Sequence, residues 1–166
     1  MVNFFVGIDV SKYKAHIVIL DDKTHIYHCE ILESREKKDI ERGCTIKRSA
    51  EDFLIEFVDA NDTVMEDLVV AIESPIYLQN IRTTLDIARN VFVIQTVCGE
   101  LSIPCFGVDN RVWKKEVLGN GAAKKEDIEK FAKTKWKKYP FADQDSMDAA
   151  CIAFHAALLF SNKKRK

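Results

Sequence analysis

Two apolar runs flank a single carboxylate in residues 4–20, FFVGIDVSKYKAHIVIL, and this stretch most constrains the fold. An unpaired carboxylate inside a buried strand costs several kcal/mol, so Asp9 is expected at the end of a strand. We predict one strand over residues 2–9 that ends at Asp9, and a second strand over residues 14–20. Because strand ends in a sheet core open onto a crevice where ligands bind, Asp9 becomes a candidate site residue.

The rest of the chain predicts a mixed sheet covered by helices. The turn residues 21–23 lead into a third strand over 24–32, and the apolar run over 67–72 is typical of a strand buried on both faces. Further strands are predicted over residues 91–96 and 105–108. Helices are predicted over residues 49–60 with Ser49 as N-cap, from Ser74-Pro75 through Ala88, near 111–118, over 124–137, and from Gln144 to about Phe160. This order indicates an α/β fold whose first half is antiparallel and whose second half is parallel.

The composition favours one globular domain. With 166 residues and 47% apolar residues, the chain can bury a core, and we assign residues 1–162 to a single domain and 163–166 to a basic tail. No apolar window is long enough to span a membrane and no signal peptide is recognisable, so we expect no membrane partner. The five cysteines form no C-x-x-C motif, which indicates reduced, mostly buried thiols in a cytosolic-type protein.

The charge of the chain is strongly segregated although the net charge is only −1. Between Arg111 and Lys138 there are ten Lys or Arg residues against four Asp or Glu residues, and the tail 163–166 adds four more positive charges. Such segregation suits a surface that binds a polyanion, and it equally suits a solvated basic helix. Charge alone does not decide between the two.

Three further acids occupy positions that resemble that of Asp9. Glu73 closes the apolar run LVVAI, and Asp145 and Asp148 stand three residues apart, on one face of the start of the last helix. Acids at a helix N-terminus also act as caps and complement the helix dipole, each worth roughly 0.3–1 kcal/mol. We interpret Asp143 in that way, and leave both interpretations open for the pair 145 and 148.

If the four acids meet in space, they require a cation. Two carboxylates ~5 Å apart repel each other by about 3 kcal/mol at an effective dielectric constant of ~20. Hard oxygen ligands indicate Mg²⁺ or Mn²⁺. Two such ions ~4 Å apart are typical of in-line displacement at a phosphodiester.

Four motifs together resemble the RuvC-type Holliday junction resolvases: VGIDVSK, VVAIESPIY, VWKKEVLGNGAAKKEDI and DQDSMDAACIAFHAAL. Their order and spacing match that family from Phe4 to about Leu159, and the most specific part is K-x-x-x-x-G-x-G-x-x-x-K, from Lys114 to Lys125. The resemblance implies a ribonuclease-H-like fold, a five-stranded mixed sheet flanked by helices. It also implies a homodimeric, metal-dependent endodeoxyribonuclease that resolves four-way DNA junctions by paired symmetric nicks.

The resemblance also assigns roles to individual residues. It implies two Mg²⁺ ions per active site, with Mn²⁺ as a substitute and no small-molecule cofactor. It implies catalytic metal ligands at Asp9, Glu73, Asp145 and Asp148, a catalytic and DNA-binding lysine at Lys125, and further DNA contacts at Lys114, Lys115 and Lys124. Tyr77 is displaced by about one position from the aromatic residue that stacks on bases in the family, and packing at a dimer interface or in the core is an equal alternative for it.

Two features depart from the family pattern. The first motif continues with Val10-Ser11 where the family has Pro-Gly, and GIDVSK also opens DEDD transposases and, as G-I-D, actin-like ATPases. Both of those classes need more chain than 166 residues. The net charge predicts that DNA contacts are confined to the lysine-rich segment and the tail. A broader nuclease that cuts flaps and forks and a non-catalytic junction-binding protein remain as alternatives. The expected location is the cytoplasm, with the nucleoid, or the viral or host DNA compartment if a virus encodes the protein.

The other chemically capable residues are expected to be structural. His25 and His28 are too few to form a metal site, and His155 lies two helical turns after Asp148, where a packing role is expected. Trp113 and Trp136 flank the basic segment, where they either stack on bases or, as we predict, pack in the core.

Overall fold

The structure, a computed structural model, describes residues 3–76 and 79–163, with side chains as far as residue 160. One five-stranded sheet has the strand order β3-β2-β1-β4-β5. Strands β1 to β3 are antiparallel neighbours, and β4 and β5 run parallel to β1. The strands are β1 (Phe4–Val10), β2 (Lys14–Asp21), β3 (Ile26–Glu33), β4 (Leu68–Glu73) and β5 (Cys105–Val108). The predicted mixed sheet, antiparallel in its first half and parallel in its second, is therefore confirmed.

Helices cover both faces of this sheet. Helices α1 and α2 pack on one face, and α5 packs on the other face together with α3 and α4. Their bounds are α1 (Asp39–Ala60), α2 (Ile81–Glu100), α3 (Asn110–Leu118), α4 (Lys125–Lys135) and α5 (Gln144–Lys163), and a short 3₁₀ turn spans Met65–Asp67. Within the described ranges, no helix is long and apolar enough to cross a membrane.

The strand predicted over residues 91–96 is wrong, because this segment lies inside α2. Its run of Val, Phe and Ile residues has high strand propensity, but the buried positions follow a helical spacing. Val91, Ile94, Val97 and Cys98 face the core, whereas Phe92 is 68% exposed. The helix predicted from Ser74-Pro75 begins only at Ile81, where the Asn80 side chain caps it by accepting from two backbone N–H groups.

Helix α1 begins ten residues before its predicted start at Ser49. The early half of this helix is rich in charged residues and contains Gly43, so its apolar periodicity is weak. The structure buries Arg42, Gly43 and Ile46 against the rest of the fold, and tertiary packing thus extends the helix where local propensity is poor. The five cysteines are free thiols as predicted, but only Cys98 and Cys151 are buried.

Gly7 lets α5 lie directly against the central strand β1. A Cβ atom at this position would lie 2.1 Å from the Ala149 carbonyl oxygen and 2.2 Å from the Ala153 nitrogen. The facing side of α5 consists largely of buried alanines, so backbone meets backbone here without intervening side chains. This close approach brings the start of α5 next to the end of β1, where Asp9 lies.

Candidate active site

Four predicted site acids lie where the carboxyl ends of the parallel strands meet. This end of the sheet is here called the acids' edge. Asp9 and Glu73 follow the paired residues Ile8 and Ile72 at the ends of the parallel strands β1 and β4. Asp145 and Asp148 lie at the start of α5, which packs across β1, β2 and β4. In open α/β sheets, ligands bind outside the carboxyl ends of the strands, and the four acids lie at this end.

The pKa of Asp9 shows that the four acids act on one another. Burial raises this pKa well above its usual range, and the negative charges of Glu73, Asp148 and Asp145 raise it further. A hydrogen bond with the Val10 backbone opposes the shift only in part. The half-buried Asp9 carboxyl group therefore carries a charge at neutral pH only at a cost in free energy, unless a cation compensates it.

Asp148 lies in a similar environment but has two compensating neighbours. Burial and the charges of Glu73 and Asp145 raise its pKa to about 6, while a hydrogen bond from Gln144 and the positive charge of Lys114 lower it. The Gln144 Nε2 atom donates to the Asp148 Oδ1 atom at 2.9 Å. The structure thus places Lys114, a predicted DNA-binding residue, within electrostatic reach of the acids.

Glu73 is held by two residues for which no such role was predicted. The Asn110 side-chain amide donates to Oε1 at 2.9 Å, and the Trp113 indole nitrogen donates to Oε2 at 2.7 Å. Trp113 is fully buried, which confirms its predicted core position, and its N–H group therefore needs an acceptor inside the protein. A buried tryptophan beside a lysine-rich helix face was the signal that could have located this contact.

The start of α5 is fixed by a histidine that was not predicted. The Nε2 atom of buried His16 lies 3.0 Å from the Asp143 Oδ2 atom. The other oxygen of Asp143 accepts from the Ser146 backbone and hydroxyl groups, which confirms Asp143 as a helix cap. His16 lies on β2 directly opposite Asp9, so this contact joins β2, beside the end of β1, to the start of α5.

The remaining predicted lysines lie on the surface beside the acids' edge. Lys115 is exposed on α3, and Lys124 and Lys125 are exposed at the start of α4. Among the described residues, none of these three side chains forms an ion pair, so their charges are available to a ligand. The predicted contact residue Tyr77 lies outside the described residues.

The acids fit a divalent cation by their chemistry, although the described side chains do not enclose one. Within residues 3–76 and 79–160, no three His, Cys, Asp or Glu side chains converge closely enough to bind an ion. Each Glu73 oxygen accepts one hydrogen bond and keeps further acceptor capacity. The coupled carboxylates supply the hard oxygen ligands that Mg²⁺ and Mn²⁺ prefer, and a bound cation would oppose the burial and mutual repulsion that raise the pKa values of Asp9 and Asp148.

The histidines and the second tryptophan have structural positions, as predicted. Trp136 is buried, and its indole nitrogen donates to the Thr24 carbonyl at 2.9 Å. His155 is buried on α5, its Nδ1 atom lies 3.1 Å from Glu116, and burial lowers its pKa. His25 pairs with Asp21 within the hairpin, and His28 pairs with Glu30.

Asp148→Asn should stabilise the ion-free protein at pH 8. A carboxyl group whose pKa rises from 3.8 to about 6 on folding favours the folded state at low pH, and this contribution is lost as pH rises through 6. In EDTA at pH 8, we expect the free energy of unfolding of the variant to exceed that of the wild-type protein by about 2 kcal/mol, and near pH 4 we expect no difference. The full pKa shift would correspond to ~3 kcal/mol, which solvent screening reduces. Urea denaturation at both pH values measures the difference. Asp22→Asn, in the exposed hairpin turn, is the control, and an equal gain for both variants would contradict the assignment.

Comparisons with known proteins support the fold. No protein-family model and no curated protein matches this sequence. The solved structure of Thermus thermophilus RuvC in complex with Holliday junction substrate is similar, with a TM-score of 0.77 and 17% identity, over 95% of this chain and 94% of that chain. A second Thermus thermophilus RuvC structure matches with a TM-score of 0.74 and 17% identity, over 96% of each chain. The chain therefore has the ribonuclease-H-like fold of RuvC, as the sequence motifs predicted.

Proposed function

We propose that this protein is a metal-dependent, structure-selective DNA endonuclease that resolves four-way junctions by paired symmetric nicks. One observation carries the proposal: four acids with mutually coupled charges lie at the edge of a sheet whose fold matches RuvC over nearly the whole chain. Half-buried acids that repel one another destabilise a fold, so a site of this kind is typical of functional cation binding. The RuvC neighbour that binds a Holliday junction indicates the class of substrate.

Each residue near the acids has a definable task in this reaction. Asp9, Glu73, Asp145 and Asp148 would hold Mg²⁺, or Mn²⁺ in its place, and two ions bound there would activate water and stabilise the leaving oxygen of a phosphodiester. Asn110 and Trp113 orient the Glu73 carboxylate, and Gln144 orients that of Asp148. Lys114 lies close enough to Asp148 to attract the scissile phosphate to the same edge.

The exposed lysines extend this edge towards the DNA backbone. Lys115, Lys124 and Lys125 surround the α3–α4 connection, in which Gly119 adopts a left-handed conformation with φ of 77°. Following the motif match, we assign Lys125 together with Lys114 to the scissile phosphate or the adjoining backbone, and the other two to neighbouring phosphates. Tyr77, in the segment between β4 and α2, is proposed to stack at the junction centre.

A homodimer would supply the two active sites that paired nicks require. Helix α2 presents a stripe of exposed apolar side chains on the side away from the sheet: Ile81 is 62%, Leu85 57% and Phe92 68% exposed. These residues follow the spacing of one helix face, and an exposed apolar stripe is typical of a protein interface. We propose that a second copy of this chain covers the stripe.

The most direct test compares DNA substrates. Purified protein with Mg²⁺ is incubated with a labelled four-way junction, a flap, a fork and a linear duplex, and the nick positions are mapped. Symmetric paired nicks in the four-way junction alone are expected. Comparable cleavage of flaps and forks would favour the broader branched-DNA nuclease, and junction binding without any cleavage would favour a non-catalytic binding protein.

Lys125→Ala should reduce junction cleavage by about 10- to 100-fold, as expected for the loss of one positive charge that stabilises a reacting phosphate. The side chain is exposed and forms no ion pair in the described part of the chain, so the melting temperature should not change. Single-turnover cleavage rates at saturating protein measure the effect. Lys37→Ala, an exposed lysine before α1 that also forms no ion pair with a described residue, is the control, and an unchanged rate for Lys125→Ala would remove this lysine from the site.

A further inference from the structure

A second basic surface lies at the end of the molecule opposite the acids. The C-terminal end of α4 and the β2–β3 turn form an open, shallow groove of about 540 Å³, here called the distal groove, whose lining includes His25, Ile26, Lys135, Trp136, Lys137 and Lys138. The Trp136 indole donates to the Thr24 carbonyl and thereby ties α4 to this turn. In the sheet, this end of β1 is marked by the pair Phe4–Asp21, whereas Asp9 pairs with His16 at the other end. Five strand residues separate the two ends, or ~17 Å.

The lysines of the distal groove have no acidic partners. Lys135, Lys137 and Lys138 form no ion pair with any described residue, whereas the neighbouring Lys133 pairs with Glu129. Lys137 and Lys138 are exposed. The Lys135 ammonium lies 4.1 Å from the centre of the Phe154 ring, and burial lowers its pKa. The nearby Asp21 pairs with His25 and not with a lysine, so the three ammonium groups are available to an external anion.

The groove is suited to phosphates rather than to bases. The Trp136 ring is only 7% exposed, packed between Phe131, Phe141 and Phe154, so its faces are closed to a stacking base. Contacts from Lys137 and Lys138 to a backbone would therefore be electrostatic and independent of sequence. At ~3.4 Å per base pair, a duplex arm that leaves the acids' edge along the sheet passes the groove after about five base pairs.

We propose that the distal groove binds the phosphate backbone of duplex DNA through Lys135, Lys137 and Lys138. This inference rests on the proposed function, because the duplex would be one arm of the branched substrate whose crossover lies at the acids. The groove contributes affinity for the arm and takes no part in the chemistry. Its ligand is a double-stranded polyanion, and an acidic protein segment is the competing occupant that the experiment must separate.

The test compares two matched double variants, Lys137→Gln/Lys138→Gln in the groove and Lys37→Gln/Arg48→Gln on the α1 side of the sheet. Both remove two exposed positive charges that form no ion pair with a described residue. Binding of a labelled linear duplex is measured by fluorescence anisotropy in EDTA over a series of salt concentrations. The groove variant should bind about tenfold more weakly at low salt, and its log–log salt slope should fall by about 2, since each neutralised phosphate contributes about 0.9. The control variant should bind like the wild-type protein.

The outcomes separate this inference from the proposed function. Because the duplex is linear and EDTA removes the ions, binding is measured whether or not the protein cleaves junctions. Equal salt slopes for both variants would overturn the duplex site even if junction cleavage is normal. If the groove variant loses affinity for polyglutamate but not for duplex DNA, the groove binds an acidic protein instead, and the inference is again wrong. Thermal melting confirms that both variants are folded.

Discussion

Asp9→Asn and Asp148→Asn are each expected to abolish junction cleavage in Mg²⁺ while leaving junction binding nearly intact. Each substitution keeps the size of the side chain and removes one negative charge from the coupled acids. A cation at this edge then loses an anionic ligand, and the rate should fall by at least ~10³-fold, as for other groups that act as a unit in catalysis. Binding depends mainly on lysine contacts with phosphates, which these substitutions do not alter.

Cleavage and binding must be measured on the same protein preparations. Single-turnover rates with a labelled four-way junction in Mg²⁺ report the chemistry, and gel shifts of that junction in EDTA report affinity. Asp22→Asn is again the control, since its side chain lies in an exposed turn at the far end of β2. Near-normal cleavage by either site variant would show that the acids do not form the active site. Loss of binding together with cleavage would instead indicate that the substitution damages the fold.

A thermal-shift measurement adds a readout that is independent of DNA. Wild-type protein should melt at a higher temperature when Mg²⁺ or Mn²⁺ is added, because the ion relieves the repulsion that raises the pKa values of Asp9 and Asp148. Asp9→Asn should lose most of that increase. An equal increase for the variant and the wild-type protein would place the bound ion elsewhere.

The acids were predictable from the sequence because each follows a local pattern. Asp9 and Glu73 close apolar strands, and the Asp145–Asp148 spacing places two carboxylates on one helix face. Each pattern is visible within about ten residues, and the resemblance to RuvC-type motifs links the separate patterns. The structure adds that their charges are coupled, a property that depends on distances between three segments far apart in the chain.

The residues that support the acids were not predictable in this way. Trp113 and Asn110 reach Glu73 across 40 and 37 positions of the chain, and His16 reaches Asp143 across 127. No local pattern encodes such contacts, since they exist only after the sheet and α5 have assembled. The error in α2 has a related cause: a run of β-branched and aromatic residues favours a strand locally, and packing against the sheet imposes the helix.

Gly7→Ala is expected to destabilise the fold by about 3 kcal/mol or more, because overpacking against backbone atoms cannot be relieved by a side-chain rotation. The added methyl group would lie 2.1 Å from the Ala149 carbonyl oxygen, so α5 must move away from β1. Such a movement separates Asp148 from Asp9, and we expect the variant to lose Mg²⁺-dependent cleavage even where it remains folded. Urea denaturation and junction cleavage measure the two effects.

Gly99→Ala provides the matched control for this substitution. Gly99 lies in the last turn of α2, and a Cβ atom there meets nothing within 4 Å. Alanine favours a helix over glycine by about 0.8–1.0 kcal/mol in a helix interior, so this control should be neutral or slightly stabilising. If Gly7→Ala unfolds at the same urea concentration as Gly99→Ala, the close contact between α5 and β1 is not a requirement of the fold. The absence of a side chain at residue 7 would then not be what allows Asp148 to lie close to Asp9.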